Sequence, residues 1–210
     1  MLLDALLAAK APPIVAILRG IRPDETAATV EALIEAGIRL IEIPLNSPDP
    51  LESIRIMTRV AGDRALCGAG TVLHPERVDE VAAAGGRLIV TPNVNPHVIE
   101  RAVSLGLELL PGFMTPSEAF TAIGAGARRL KLFPASLAGA PFLTAVREVL
   151  PREIGLWAVG GTGAANLGAW ISAGAQGIGV GGALYRPGDS ATTVRARAAD
   201  LVAAWGNIPS

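Results

Sequence analysis

The sequence predicts an α/β protein: a closed (β/α)8 TIM barrel with an extra N-terminal helix. Three observations carry that prediction. Eight short apolar runs recur along the 210 residues at a mean spacing of about 23, the length needed for one strand, one helix and two short loops. Helix-like segments with apolar residues three and four apart separate the runs. The runs themselves are almost continuously apolar, as strands of a parallel sheet covered by helices must be. Eight such units close into a barrel; a doubly wound open sheet is the alternative.

The elements follow in order. Residues 1–10 read MLLDALLAAK, and Leu2, Leu3, Leu6 and Leu7 give them an apolar face. They predict a helix that closes the barrel bottom. With Asp4 and no basic start or long apolar core, the segment does not read as a signal peptide. The first run, IVAILR, begins at Ile14, and a helix is expected over 24–36 with Val30, Leu33 and Ile34 on one face. LIEIPL from Leu40 and LCGAGT from Leu66 are the second and third runs. Pro75 opens a helix reaching Ala84, in the first-turn position that tolerates proline. Then come LIVTP from Leu88, a helix over 95–105, LELLPG from Leu107, a helix over 116–125, and RLKLFP from Arg129. The last runs, LWAVGG from Leu156 and GIGVGG from Gly177, lie in an uncharged stretch of 32 residues, Ile154–Tyr185. Its ten glycines break it into strands and turns rather than a membrane span. Gly37, Gly85, Gly106, Gly126 and Gly174 each follow an expected last helical turn, where glycine adopts the left-handed conformation that ends a helix. No linker or compositional break divides residues 1–210, which read as a single domain.

Composition narrows the function. Hydrophobic residues at 50% and charged residues at 18% exclude a disordered chain. Aromatic residues at 4% and a net charge of −1 leave neither a stacking platform nor a basic footprint, so no nucleic-acid partner is expected. No membrane partner is expected either. Cys67 is the single cysteine, so no intrachain disulfide forms, and it reads as a small core residue. The default setting is the reducing cytoplasm. His74 and His97, the only histidines, are 23 residues apart and have no metal-ligand spacing, so no metal is expected. No G-x-x-x-x-G-K-[ST] loop is present.

In this architecture, chemistry sits where strands end. The chain has 16 Arg but only two Lys, Lys10 and Lys131. Lys131 lies inside an apolar strand, where burial favours the neutral amine, the form that attacks a ketone. Otherwise it points outward and snorkels beneath a helix. Glu42 is the only carboxylate of the second run. It is either the general acid/base beside Lys131 or half of a structural ion pair. Glu108, early in its strand, reads as structural. Gly160-Gly161 and Gly181-Gly182 close runs seven and eight, the strand ends where this fold commonly binds phosphate; ordinary tight turns are the other reading. Arg19 closes the first run, where it is a candidate fork for an anion or a rim ion pair. Gly68-Ala69-Gly70-Thr71 leaves room in the lumen and offers a hydroxyl.

Together, several segments resemble the bacterial 2-keto-3-deoxy-6-phosphosugar-acid aldolases nearly end to end. They are Ile17-Leu18-Arg19-Gly20, Glu42-Ile43-Pro44-Leu45-Asn46-Ser47-Pro48, Gly68-Ala69-Gly70-Thr71-Val72, Val90-Thr91-Pro92-Asn93, Lys131-Leu132-Phe133-Pro134 and Ala158-Val159-Gly160-Gly161. The resemblance implies a class I aldolase acting on a phosphorylated 2-keto-3-deoxy sugar acid, with pyruvate as one product. Lys131 would form the imine and Glu42 would move protons. Arg19, Asn46, Thr71, Pro92 and Phe133 would meet substrate. Gly160, Gly161, Gly181 and Gly182 would hold the phosphate. It also implies no metal or organic cofactor, and a homotrimer. The gluconate type carries Arg four residues after the Glu; Asn46 stands there and is similar to the galactonate type, as is Leu184-Tyr185-Arg186. Relatives place a serine at the eighth strand end, where this chain reads Gly181-Gly182-Ala183.

Overall fold

The computed structural model describes residues 2–208. Within these residues nine strands form one parallel sheet: β1 (Ile14–Ile17), β2 (Leu40–Pro44), β3 (Leu66–Gly70), β4 (Leu88–Val90), β5 (Glu108–Leu110), β6 (Gly112–Phe113), β7 (Arg129–Leu132), β8 (Gly155–Val159) and β9 (Gly177–Val180). Their order is β5-β4-β3-β2-β1-β9-β8-β7-β6. The two ends of that order, β5 and β6, are separated in the chain by Pro111 alone. Proline has no N–H for the ladder, so the fifth run, expected as one strand, breaks there. The Pro111 carbonyl still accepts from the Lys131 N–H at 2.9 Å. The sheet is therefore a near-closed barrel of eight strands, one of them interrupted.

Among the described residues ten helices connect and cover the strands: α1 (Leu2–Ala8), α2 (Pro23–Glu35), α3 (Pro50–Ala61), α4 (Pro75–Ala83), α5 (Pro96–Ser104), α6 (Pro116–Gly124), α7 (Ala135–Ala138), α8 (Ala140–Val149), α9 (Leu167–Ser172) and α10 (Ala191–Gly206). The four helices expected between residues 24 and 125 differ by no more than one residue at either end. Gly37, Gly85, Gly106, Gly126 and Gly174 end their helices with φ of 103°, 87°, 67°, 104° and 98°, as the sequence predicts.

Register sets what shares a level in the lumen. Following Cα partners once round the barrel returns to the starting strand eight residues earlier, the shear of a (β/α)8 barrel. Inward side chains from alternate strands therefore form layers. Leu40, Leu88, Arg129 and Gly177 lie lowest; above them come Val15, Gly68, Leu110 and Trp157. Glu42, Val90, Lys131 and Gly179 form the next layer, and Ile17, Gly70, Gly112 and Val159 lie nearest the mouth.

The core is correspondingly double. One cluster fills the lumen, including Val15, Leu40, Leu66, Leu88, Leu110 and Trp157. A larger one packs the outer strand faces against the helices, for example Ile41, Ala69, Ile89 and Leu132 with Val30, Leu33 and Met57. The α1 helix plugs the closed end. Leu3 is fully buried in the lumen cluster, and its N–H donates to Glu108 Oε1 at 3.1 Å. Arg129 Nη1 pairs with Glu108 Oε2 at 3.4 Å, and its Nη2 pairs with Asp4. Glu108 is thus structural, as its early position in the strand suggests. Among the described residues no helix is long and apolar enough to cross a membrane.

Candidate active site

Lys131 points into the lumen from β7, and only 5% of it is exposed. Glu42 points in from β2 with 2% exposed. The two strands face each other across the barrel, and register puts both side chains in one layer. Two charged groups this deep are costly unless they are paired or neutral. Burial first of all pushes the Glu42 carboxyl up, to about 7; the Lys131 and Arg19 charges and a Gly70 backbone hydrogen bond pull it back. Burial likewise pulls the Lys131 amine down to about 8, with Glu42 raising it and Arg19 lowering it further. Near neutrality the pair holds a free amine in useful amount beside a carboxyl that can give or take a proton. Among the described residues Glu42 Oε2 has no hydrogen-bond partner.

The local chain is built around that carboxyl. A Cβ on Gly70 would lie 2.0 Å from Glu42 Oε2, so glycine at the end of β3 leaves the carboxyl its place and any larger residue would have to push it aside. The next residue, Thr71, has φ of 56°. A β-branched residue in the left-handed region costs roughly 1–3 kcal/mol, strain that the surroundings must hold in place. The Leu45 N–H donates to the Gly70 carbonyl at 2.8 Å, which ties this turn to the end of β2. On the mouth side of the amine, Lys131 Nζ lies 4.9 Å from the centre of the Phe133 ring, within cation–π range.

Arg19 follows β1 and is exposed. Its Nη1 donates to Asn46 Oδ1 at 2.7 Å, and the Gly20 N–H donates to Ser47 Oγ at 2.9 Å. The loops after β1 and β2 thus clamp one another beside Glu42. Pro92 borders the same end through Gly112, where a Cβ would lie 2.5 Å from the Pro92 carbonyl oxygen.

Gly161, Gly181 and Gly182 line one cavity of ≈ 500 Å³, together with Thr162–Asn166 and Ala183. Gly160 does not line it. It sits behind with φ of 101°, and a Cβ there would lie 3.4 Å from the Ala135 nitrogen and the Pro134 Cα. No basic side chain is among the lining residues, so an anion seated there would be met mainly by backbone. Asn166 fixes the turn: its Oδ1 accepts from the Gly163 N–H at 3.0 Å, and its Nδ2 donates to the Gly161 carbonyl at 2.8 Å. Thr162 is buried and donates to the Gly179 carbonyl at 2.5 Å. The sequence reading assigns no role to Thr162 or Asn166 and carries Ser47 only within the segment Glu42–Pro48; the one cue for Thr162 is that it directly follows Gly160-Gly161.

A family model for KDPG and KHG aldolases matches residues 6–195. The chain belongs to the KDPG and KHG aldolase family. As an aldolase it makes and breaks carbon–carbon bonds. A fellow member of the aldolase family, the 2-dehydro-3-deoxy-6-phosphogalactonate aldolase of Escherichia coli (strain K12), is 50% identical over 193 residues, covering 92% of this chain and 94% of the relative. The probable 2-dehydro-3-deoxy-6-phosphogalactonate aldolase of Rhizobium meliloti (strain 1021) is 48% identical, covering 92% and 91%. A solved structure described as native KDPGal superposes with a TM-score of 0.91 at 50% identity, covering 92% of this chain and 94% of the other.

Proposed function

We propose that the protein is a class I aldolase that reversibly cleaves 2-dehydro-3-deoxy-6-phosphogalactonate to pyruvate and D-glyceraldehyde 3-phosphate, with no metal or organic cofactor. One observation carries the reading: one of only two lysines is buried in the lumen, level with a buried carboxyl.

In this reading the Lys131 amine attacks the C2 ketone to give a carbinolamine, and loss of water gives a protonated imine. Glu42 removes the proton of the C4 hydroxyl, partly through water, and the C3–C4 bond breaks. Its electron pair flows into the imine, leaving the pyruvate enamine on Lys131 and releasing the aldehyde. Protonation at C3 and hydrolysis return pyruvate and the free amine. Arg19, held by Asn46, meets the substrate along with Thr71, Pro92 and Phe133. The glycines Gly160, Gly161, Gly181 and Gly182 form the phosphate turn, with backbone donors in place of the missing serine. The galacto epimer is favoured by Asn46 and by the 50% and 48% identity to relatives of that name. The resemblance further supports single-domain chains assembled as a cytoplasmic homotrimer, which sedimentation equilibrium tests.

The decisive experiment is incubation with pyruvate and sodium borohydride, followed by intact and peptide mass spectrometry. A reduced imine, Lys131 carrying an N-(1-carboxyethyl) group, and none on Lys10 is expected. A folded protein with no adduct overturns the class I reading. Turnover of the two epimers then decides the substrate: faster cleavage of the gluconate epimer overturns the galactonate assignment.

A further inference from the structure

Trp157 has no part in the chemistry above, yet the lumen is shaped around it. It is fully buried on β8 and is the Cα partner of Lys131. Inward neighbours on adjacent strands stand about 5 Å apart, and the barrel shear puts Trp157 in the layer beneath the amine. Two glycines fit the indole and its partner. A Cβ on Gly177 would lie 2.7 Å from Trp157 Cζ3, and one on Gly155 would lie 2.3 Å from Gln176 Oε1. Trp157 Nε1 donates to that Gln176 oxygen at 3.3 Å. The only polar atom of the indole is thus anchored at the closed end, so what it offers upward is hydrocarbon.

We propose that Trp157 is a positioning residue: its indole is the apolar floor that keeps water from beneath Lys131 and holds the amine in its uncharged, nucleophilic form. The inference rests on Lys131 being the imine-forming amine. The charged groups facing that amine are Glu42 from β2 and Arg19 after β1, with opposite effects. Arg129, two residues earlier on β7, is paired with Glu108 and Asp4. Burial is the largest cause of the lowered amine, and Trp157 is the largest fully buried side chain of the protein's described residues. The gain is large. An ordinary lysine is neutral about once in a few thousand molecules at pH 7, whereas an amine at about 8 is neutral in roughly one of ten.

Having two lysines makes a direct test possible. Competitive labelling with acetic anhydride across pH, read by peptide mass spectrometry, gives the titration midpoint of Lys131 with Lys10 as internal reference. In the wild-type protein the Lys131 midpoint should fall well below the ordinary lysine value of about 10.4. Trp157→Gln should raise it by about one pH unit or more and slow pyruvate adduct formation at pH 7 about tenfold. Trp157→Phe keeps an apolar ring but opens room for about one water, and should raise the midpoint by a smaller step of about 0.3–0.5. A purely structural tryptophan would lower the melting temperature and leave both midpoints in place, which overturns the proposal. Where the Gln variant does not fold, a Phe variant shifted by less than about 0.2 does so alone. A wild-type protein with a lowered Lys131 midpoint but no pyruvate adduct refutes the aldolase reading instead, so the two failures are distinct.

Discussion

Substituting alanine at Gly70 tests whether Glu42 acts on the substrate or merely fills the lumen. The new Cβ would lie 2.0 Å from Oε2 and 2.4 Å from both Cδ and Oε1, against 3.4 Å for ordinary contact. The carboxyl must retreat by about 1.4 Å, and it can, because it ends a flexible side chain. A misplacement of about 1 Å costs around 10²-fold in rate, and losing a general acid/base costs about 10²–10⁴-fold. Gly70→Ala should therefore lower kcat by about 10²–10³-fold. KM should change little, because the cavity proposed for the phosphate is lined by the turns after β8 and β9. Overpacking should cost about 1–3 kcal/mol of stability, which leaves the protein folded at 25 °C. Pyruvate release coupled to lactate dehydrogenase gives kcat, and urea unfolding gives the stability. A folded Gly70→Ala protein with kcat within about threefold of wild type would refute the role of Glu42. Gly68→Ala is the contrast: its Cβ would lie 1.8 Å from the Leu88 carbonyl oxygen, a backbone atom that cannot step aside, so folding itself should fail.

Three further outcomes follow from the buried groups. Glu42, raised from 4.5 to about 7, keeps in the fold a proton that the unfolded chain has lost, so its contribution to stability fades as pH rises through that window. Lys131, lowered from 10.5 to about 8, has given up a proton that the unfolded chain keeps, so stability returns only as pH rises from about 8 towards 10.5. Both penalties are present near pH 7.5, so the double variant Glu42→Gln, Lys131→Met should be more stable there by about 1–4 kcal/mol; urea curves showing a loss would contradict this. Arg129→Met leaves Glu108 buried without its ion-pair partner and should cost about 3–5 kcal/mol, while any folded fraction keeps its kcat; a change below about 1 kcal/mol in urea would mean the pair is dispensable. Cys67 is 4% exposed, and burial pushes its thiol up to about 12. It should resist Ellman's reagent at pH 8 in the native protein and react at once in urea; rapid native labelling would show that the β3 edge opens.

The strand starts at Leu40, Leu66, Leu88 and Arg129 were legible because each opens an apolar run that a covered parallel sheet requires. Helix ends were legible too, through the glycines whose left-handed turns the chain needs. What the linear pattern does not contain is register. Lys131 and Glu42 share a level only because the closed barrel shifts by eight residues, a property of the whole circuit rather than of any segment. Thr71 was illegible for another reason: a β-branched residue with positive φ runs against local preference, and tertiary contacts impose it. Pro111 was visible, yet only the β5/β6 pairing shows that it splits a strand. The contact between Arg19 and Asn46 joins two loops, and nothing in either loop announces the other.

The junction of β1 with β9 has a consequence for the growing chain. Ile14 pairs with Ile178, so one edge of the first strand waits for 164 residues of synthesis. At about 5–20 residues per second that wait lasts about 8–33 s. Throughout it, β1 presents unpaired backbone groups beside apolar side chains, the kind of edge that recruits other strands. For this protein the time during which that edge is open on the ribosome is therefore set by the speed at which the chain between β1 and β9 is translated.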